Sequence, residues 1–279
     1  MTILEAIERA KQLQKSNKRA AAEMTEVPSL KRARAPGGPP IGTPAGLEFP
    51  ESAVNWQACV QRHLLVDGSR EGVDAGAADA YKILRTRLWH LMEVNQWHSL
   101  GVTSAGVGEG KSTTALNLAL AMASERSRNI FLLDLDLRRP SLCSYLGLTP
   151  GVDVGAYLRG ESNPADLFCS IGIPCLAVAG SSHPYERTSE LLGGVRLSEL
   201  LAFVAARDPN ALLIVDLPPL LGVADALVVA PKLSATLLVV AEGKTKRDAL
   251  PQVHDLLKNV TVAGLVLNRS LESLENYNY

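Results

Sequence analysis

A glycine-rich segment that ends in lysine and serine is the strongest chemical signal in the chain. Residues 105–112 read A-G-V-G-E-G-K-S, which is the Walker A spacing with alanine in the first glycine position. Glycines let such a loop turn its N–H groups towards phosphate, and the helix N-terminus that follows adds partial positive charge. We predict that Lys111 is an exposed loop cation that contacts the β- and γ-phosphates of a nucleoside triphosphate and that the Ser112 hydroxyl ligates Mg²⁺. The residues predicted to bind the nucleotide here are Gly106, Gly108, Glu109, Gly110, Lys111, Ser112 and Thr113.

Two further motifs place carboxylates at the ends of apolar runs. Residues 132–138 read L-L-D-L-D-L-R and residues 214–219 read I-V-D-L-P-P. Asp134 and Asp136 are two residues apart, so they point to the same side of a strand end, where they can position a metal shell and a hydroxyl acceptor. An aspartate after an apolar strand is, taken alone, usually a turn or a helix cap. The predicted metal ligands are Ser112, Asp134 and Asp216, and the predicted catalytic residues are Lys111, Asp134, Asp136 and Asp216.

These motifs lie between apolar runs and helical patterns that alternate along the chain from Asn55 onwards. Continuous apolar strands separated by helices predict an α/β fold of the P-loop NTPase class, a mostly parallel sheet with helices on both faces. Ligands bind such sheets at the carboxyl ends of the strands, where the glycine-rich loop and the three aspartates fall. The predicted strands are 97–103, 129–134, 175–179, 211–216, 235–241 and 262–267, and the predicted helices are 77–94, 111–126, 187–206, 224–231 and 246–258.

The three motifs together resemble those of the bacterial tyrosine kinases, or BY-kinases, which are P-loop enzymes unrelated to the eukaryotic protein kinases. The resemblance covers about residues 51–279 and is greatest to the stand-alone cytoplasmic kinases encoded with exopolysaccharide loci. It includes the segments 2–10, 81–86, 189–192, 241–245 and 264–269 and the tail N-Y-N-Y at 276–279. It implies an ATP- and Mg²⁺-dependent protein-tyrosine autokinase that phosphorylates Tyr277 and Tyr279 and regulates exopolysaccharide synthesis or export.

The resemblance also implies an assembly and a partner. The family's oligomerisation helix carries E-x-x-R-x-x-R, and Asp79, Lys82 and Arg85 occupy those positions, which implies a homo-oligomer such as a ring. Lysine lacks the bidentate geometry of arginine, so this assembly is expected to be weaker. The implied activator is a membrane-anchored polysaccharide co-polymerase or adaptor. In related P-loop folds an asparagine at the position of Asn268 reads the adenine edge, although a simple turn is the alternative.

Other P-loop proteins have to be weighed because a fold does not settle a function. Partitioning ATPases carry an extra lysine five residues before the invariant one, where this chain has Gly106. Iron–sulfur carriers would need a cysteine pair towards the C-terminus, and no cysteine follows Cys175. A P-loop ATPase switch or scaffold of the partitioning type is kept as the alternative function. For the tail, the alternative is that both tyrosines pack back onto the domain.

Composition and charge fit this interpretation. Of the 279 residues 47% are hydrophobic, which is typical of a globular protein with a sizeable core, and the net charge of −1 does not favour nucleic acid as a partner. The four cysteines show neither C-x-x-C nor zinc spacing. Without a membrane-spanning run or a secretory signal, we expect a cytoplasmic protein that a partner recruits to the inner face of the cell membrane. Residues 1–50 are predicted to form an amphipathic helix at 2–15 and a disordered Pro/Gly-rich linker, and residues 51–279 the kinase domain.

Overall fold

The computed structural model describes residues 49–65 and 75–270 of the chain. The predicted N-terminal helix, the linker up to residue 48 and both tail tyrosines, Tyr277 and Tyr279, lie outside the described residues. At the start of the described chain the ring of Phe49 packs on Phe131 and Phe168, with centroid distances of 5.9 and 5.8 Å. The Pro50 carbonyl accepts a hydrogen bond of 2.9 Å from Ser170 N–H. These contacts attach the residues just before position 51 to one edge of the sheet.

A seven-stranded sheet organises the described residues, with the strand order β3-β4-β2-β5-β1-β6-β7. Its neighbouring strands are parallel except for β3 and β4. The strands are β1 (Ser99–Ser104), β2 (Ile130–Asp134), β3 (Cys169–Ser170), β4 (Leu176–Ala179), β5 (Leu212–Asp216), β6 (Ala235–Ala241) and β7 (Val262–Asn268). The predicted α/β class and the six predicted strands are confirmed. The seventh strand, β3, was not predicted because two residues are too few to show a periodicity.

The helices cover both faces of this sheet. They are α1 (Trp56–Gln61), α2 (Ala75–Asn95), α3 (Lys111–Ala123), α4 (Leu142–Leu146), α5 (Val154–Leu158), α6 (Thr188–Gly193), α7 (Val195–Arg207), α8 (Asp225–Val229) and α9 (Ala249–Leu256), with 3₁₀ turns at Pro164–Asp166 and Ala230–Lys232. The single helix predicted over 187–206 is wrong, because Gly194 has an extended backbone (φ −70°, ψ 168°) that separates α6 from α7. None of the helices in the described part of the chain is both long and apolar enough to cross a membrane.

Alternate residues of each inner strand enter one of two apolar cores, one on each face of the sheet. In β2, Phe131 and Leu133 belong to one core and Ile130 and Leu132 to the other. This two-residue alternation, with apolar side chains on both faces, is why a buried parallel strand reads as an unbroken apolar run. The inner strands are therefore covered on both sides, and the buried carboxylates of Asp134 and Asp216 lie at the ends of their strands.

Strand order brings the three motifs together. The glycine-rich loop follows β1, and the aspartate-bearing strands β5 and β2 lie next to it in the order β2-β5-β1. The register pairs Asp134 of β2 directly with Asp216 of β5, and both are fully buried. Residues from distant parts of the sequence thus meet at the carboxyl ends of neighbouring parallel strands, where α/β proteins bind ligands.

Candidate active site

The glycine-rich loop runs from Ala105 to Gly110 and opens directly into α3. Gly108 and Gly110 have φ values of 73° and 97°, a conformation that side chains with a Cβ rarely adopt. A Cβ on Gly110 would lie only 2.0 Å from the Asn268 amide nitrogen. The loop backbone therefore takes a shape that requires glycine and leaves the N-terminus of α3 facing the strand ends. Gly106, Thr113 and Ser112 lie in the same loop–helix segment, as the sequence predicts.

Replacing Gly110 by alanine is expected to weaken nucleotide binding by a large factor, because the added methyl group would strain the backbone and push Asn268 away. Titration with a fluorescent nucleotide measures this directly. The matched control is Gly151→Ala, since Gly151 has no positive φ and a Cβ there would meet nothing within 4 Å. Equal nucleotide affinity of the two alanine variants would contradict the role given to the loop shape.

Lys111 lies between two aspartates. Its Nζ is 2.7 Å from Asp136 Oδ2 and 3.2 Å from Asp216 Oδ1, and it also donates to the Ser112 hydroxyl at 3.1 Å. Burial alone would lower the pKa of Lys111, but the charges of Asp216 and Asp136 outweigh it and raise that pKa above its ordinary value. The expectation that Lys111 is an exposed loop cation is wrong, since only 8% of the residue is exposed. The carboxylates of Asp136 and Asp216 hold the ammonium group in a buried position at the strand ends.

Asp134 is held by backbone donors and stays close to the other acids. Its Oδ1 accepts from Asp136 N–H at 3.0 Å, and its Oδ2 accepts from Ser141 and Leu142 N–H at 2.9 and 3.1 Å. Burial, followed by the charge of Asp216, raises the pKa of Asp134 to about 7. Burial likewise raises the pKa of Asp216, although Lys111 opposes the shift. Three buried carboxylates, those of Asp134, Asp136 and Asp216, thus share one buried lysine, which cannot neutralise all three when they are charged.

An excess of buried carboxylate charge fits a hard divalent cation. Mg²⁺ keeps several waters and is usually bound through one or two carboxylates together with substrate phosphates. The donor set therefore suits a magnesium ion that arrives with a nucleotide. Ser112, Asp134 and Asp216 remain its predicted ligands.

Residues at and just after the ends of β6 and β7 form hydrogen bonds with the glycine-rich loop. The Asn268 amide donates to the Glu109 carbonyl at 2.9 Å, while Lys244 Nζ and Arg269 Nη2 donate to the Gly108 carbonyl at 3.0 and 2.9 Å. One Glu109 carboxylate oxygen accepts from Thr245 at 2.7 Å and the other from Gly106 N–H at 3.0 Å. Asn268 thus lies at the loop, and its contact with adenine stays a prediction.

Lys244, Thr245 and Arg269 were not among the predicted site residues. The segment 241–245 had been noted only as part of a family resemblance. Its position immediately after an apolar strand was the available signal, because the loops at the carboxyl ends of parallel strands line the ligand site. Applied to the loop after β6, this rule predicts Lys244 and Thr245 as site residues alongside Asn268.

The three residues predicted to mediate assembly lie on α2 and differ in exposure. Lys82 pairs with Asp79 at 2.8 Å, and both side chains are 62% exposed. Arg85 instead turns to the end of α3, where it pairs with Glu125 at 2.8 Å and donates to the Ala121 carbonyl at 3.0 Å. Arg85 therefore does not share an exposed face with the other two residues, and its side chain is only 17% exposed.

The chain is similar to several known proteins in sequence and in structure. No protein-family model matches the chain. The tyrosine-protein kinase YwqD of Bacillus subtilis is 29% identical over 205 residues, which are 72% of this chain and 85% of YwqD. The succinoglycan biosynthesis transport protein ExoP of Rhizobium meliloti is 32% identical over 179 residues, which are 61% of this chain and 22% of ExoP. The kinase domain of the Escherichia coli tyrosine kinase ETK superposes with a TM-score of 0.64 and 27% identity, covering 82% of this chain and 94% of that domain.

Proposed function

Because the chain belongs to the bacterial tyrosine kinase family, we propose that it transfers the γ-phosphoryl group of ATP to protein tyrosine. The observation that carries this proposal is the Lys111 ammonium group, 2.7 Å from Asp136 and 3.2 Å from Asp216, at the end of a glycine-rich loop. A phosphate-binding cation and two carboxylates meet there at the ends of neighbouring strands. Kinases need this pairing, because they must bind a phosphate chain and also accept the proton of a hydroxyl group.

In this mechanism the protein mainly positions the reacting groups and neutralises their negative charge. The loop N–H groups and Lys111 bind the β- and γ-phosphates. The loop shape that Gly110 permits directs these N–H groups towards the phosphates. The tyrosine oxygen forms a bond to the γ-phosphorus while the bond to the β–γ bridging oxygen breaks. Asp136 accepts the tyrosine proton. Mg²⁺, held by Ser112 and Asp216 with Asp134, would neutralise charge on the phosphate oxygens.

The substrate we propose is the chain's own tail, with Tyr277 and Tyr279 as acceptors. Both tyrosines lie in the polar run E-N-Y-N-Y at 275–279, where each follows an asparagine. For the wider role, the name of ExoP connects one relative with the synthesis and transport of a polysaccharide. We therefore propose that this kinase works in the cytoplasm, at the inner face of the membrane, with a polysaccharide co-polymerase or adaptor as its activator.

Incubation of the purified protein with MgATP, followed by mass-spectrometric mapping of phosphotyrosine, tests the proposal. The expected result is ADP together with phosphate on Tyr277 and Tyr279. ADP without any phosphotyrosine would instead support a nucleotide-dependent switch or scaffold. Phosphate mainly on Tyr81, Tyr145, Tyr157 or Tyr185 would contradict the assignment of the tail as substrate.

We further propose that Lys82 takes part in a homo-oligomeric interface, because its pair with Asp79 is local and leaves both side chains exposed. The Lys82→Ala protein is expected to shift towards monomer in analytical ultracentrifugation. Lys258→Ala is a closely matched control, since Lys258 pairs with Asp255 at 2.9 Å with the same three-residue spacing and with 61% and 66% exposure. An equal distribution of oligomers in both variants would remove this face of α2 from the assembly. Arg85 is left intact because its replacement would also disturb the contact with α3.

A further inference from the structure

One buried carboxylate near the active site has no part in the mechanism given above. Asp225 is fully buried and accepts hydrogen bonds from three side chains. Arg138 donates through Nε at 2.9 Å and Nη2 at 3.4 Å, Thr188 Oγ1 donates at 2.6 Å, and the Ser189 hydroxyl also donates to it. Burial alone would raise the pKa of Asp225, but these donors outweigh it and lower that pKa. The group is therefore a charged carboxylate with all of its acceptor capacity in use.

The donors come from three separate segments that border the active site. Arg138 lies two residues after Asp136, in the loop that follows β2. Asp225 is the first residue of α8 and lies nine residues after Asp216, so it ends the segment that follows β5. Thr188 and Ser189 form the first turn of α6. A single carboxylate thus joins the segments after β2 and β5 to a third element.

This joining matters because Lys111 depends on the loop that follows β2 as well as on the end of β5. Its Nζ contacts Asp136 in that loop and Asp216, the last residue of β5. Asp216 is fixed within a buried strand, whereas Asp136 lies beyond the end of β2 and depends on its loop for its position. Asp136 is held by its N–H bond to Asp134 Oδ1 and by the Arg139 N–H bond to its own Oδ1. Arg138 lies in the same short loop, so its contact with Asp225 adds an anchor two residues from Asp136.

Resting on the proposed phosphotransfer, we propose that Asp225 is a positioning residue of the active site. It binds Arg138 and so holds the Asp136 carboxylate at the distance from Asp216 that Lys111 and a hydroxyl acceptor require. A displacement of about 1 Å in such a site can lower a rate by about 10²-fold without abolishing binding. The effect of Asp225 should thus fall on the maximal rate, since in the described part of the chain its hydrogen bonds go to Arg138, Thr188 and Ser189 rather than to the glycine-rich loop that binds the phosphates.

The test compares Arg138→Gln, Asp225→Asn and the double variant with the unmodified protein. The measured quantities are the maximal rates of ADP formation and of phosphotyrosine formation, and the dissociation constant of a fluorescent ATP analogue. Arg159→Gln is the matched control, because Arg159 makes the same two-atom contact with Glu161 (2.8 and 3.1 Å) and is 47% exposed, against 45% for Arg138. Circular dichroism at the assay temperature checks that each variant is folded.

Both single variants are expected to lose about tenfold or more in maximal rate, with the dissociation constant changed by no more than about twofold. The double variant should be no slower than the slower single variant, because both changes remove one interaction. Losses that multiply, or a large loss in Arg138→Gln alone, would overturn the proposal and indicate that Arg138 contacts the phosphates itself. Loss of nucleotide affinity in parallel with rate would indicate a purely structural role and would also overturn it.

If Asp225→Asn does not fold, Ser189→Ala removes one donor from the same carboxylate. It should then show a smaller loss of maximal rate with unchanged nucleotide affinity, and an unchanged rate would contradict the proposal. The two readouts also separate this inference from the proposed function. ADP without phosphotyrosine in the unmodified protein would contradict kinase activity, while the rates of ADP formation would still decide the role of Asp225. Absence of both products would contradict both.

Discussion

Lys111→Met protein is expected to form no phosphotyrosine above about one hundredth of the unmodified rate. The ammonium group is the cation nearest to the predicted phosphate position, and removal of one preorganised electrostatic contact of this kind costs on the order of 10²-fold or more. In the structure this group also neutralises Asp136 and Asp216, which are almost completely buried. Its loss would therefore remove charge compensation from the reaction and from the resting site alike.

The structure also identifies a complication for this variant. Removing one partner of a buried ion pair is destabilising, because a charge is left without compensation in a medium of low polarity. Lys111→Arg therefore accompanies it. This change keeps a cation between the carboxylates but replaces a compact ammonium by a planar fork, so the fold should be retained and the rate should still fall strongly. Lys232→Met, a change of a lysine whose Nζ donates to the Leu192 carbonyl at 3.4 Å, should be fully active. Normal phosphorylation by a folded Lys111→Met protein would contradict the active-site assignment.

Phosphate is expected to reach Tyr277 and Tyr279 from a neighbouring subunit. The segment 269–279 reads R-S-L-E-S-L-E-N-Y-N-Y, and if extended at about 3.3 Å per residue it spans about 35 Å, enough to reach another nucleotide site in an assembly. Each phosphate adds about −1.5 to −2 charges beside Glu272 and Glu275. That charge should repel the tail from the three aspartates of a neighbouring site, so phosphorylation should loosen the assembly.

A mixing experiment separates transfer between subunits from transfer within one chain. Lys111→Met protein, with both tail tyrosines intact, is combined with an active protein in which Tyr277 and Tyr279 are both phenylalanine. Phosphate should appear on the tail of the Lys111→Met chain, because only the other chain can supply it. If that tail stays unmodified while the unaltered protein phosphorylates its own, the transfer occurs within one chain. Ultracentrifugation before and after the reaction then measures whether phosphorylation reduces the size of the assembly.

The fold could be predicted from the sequence because its main elements are long and locally encoded. Strands such as β2 and β5 are buried on both faces and read as unbroken apolar runs, so their type and their positions along the chain were predicted correctly. The elements that sequence analysis missed are short. Helices α1, α4 and α5 have only five or six residues, fewer than two turns, and tertiary packing rather than periodicity specifies them. The break at Gly194 was missed because one extended residue does not alter the apolar pattern on either side.

For the candidate site, sequence reasoning gave residue types but not their partners. Walker spacing marks Lys111, and strand ends mark the aspartates, since local rules set both. That Lys111 is buried follows from its contacts with Asp136 and Asp216, one of which lies 105 positions away. The motif at 132–138 ends in Arg138 without indicating what the arginine contacts, and the structure shows it paired with Asp225. Such pairings over long separations depend on strand order, which no local pattern contains.

The ion pairs of Lys111 impose a condition on whatever binds at this site. A phosphate chain entering alone could take over the lysine, but it would then lie beside aspartates that had lost their cation. A metal ion entering alone would satisfy the aspartates but would meet an ammonium group already bound to them. When both enter together, every charge finds a new partner of opposite sign. The site should therefore act as a coincidence detector, with nucleotide and magnesium each raising the affinity for the other by the same factor, as thermodynamic reciprocity requires.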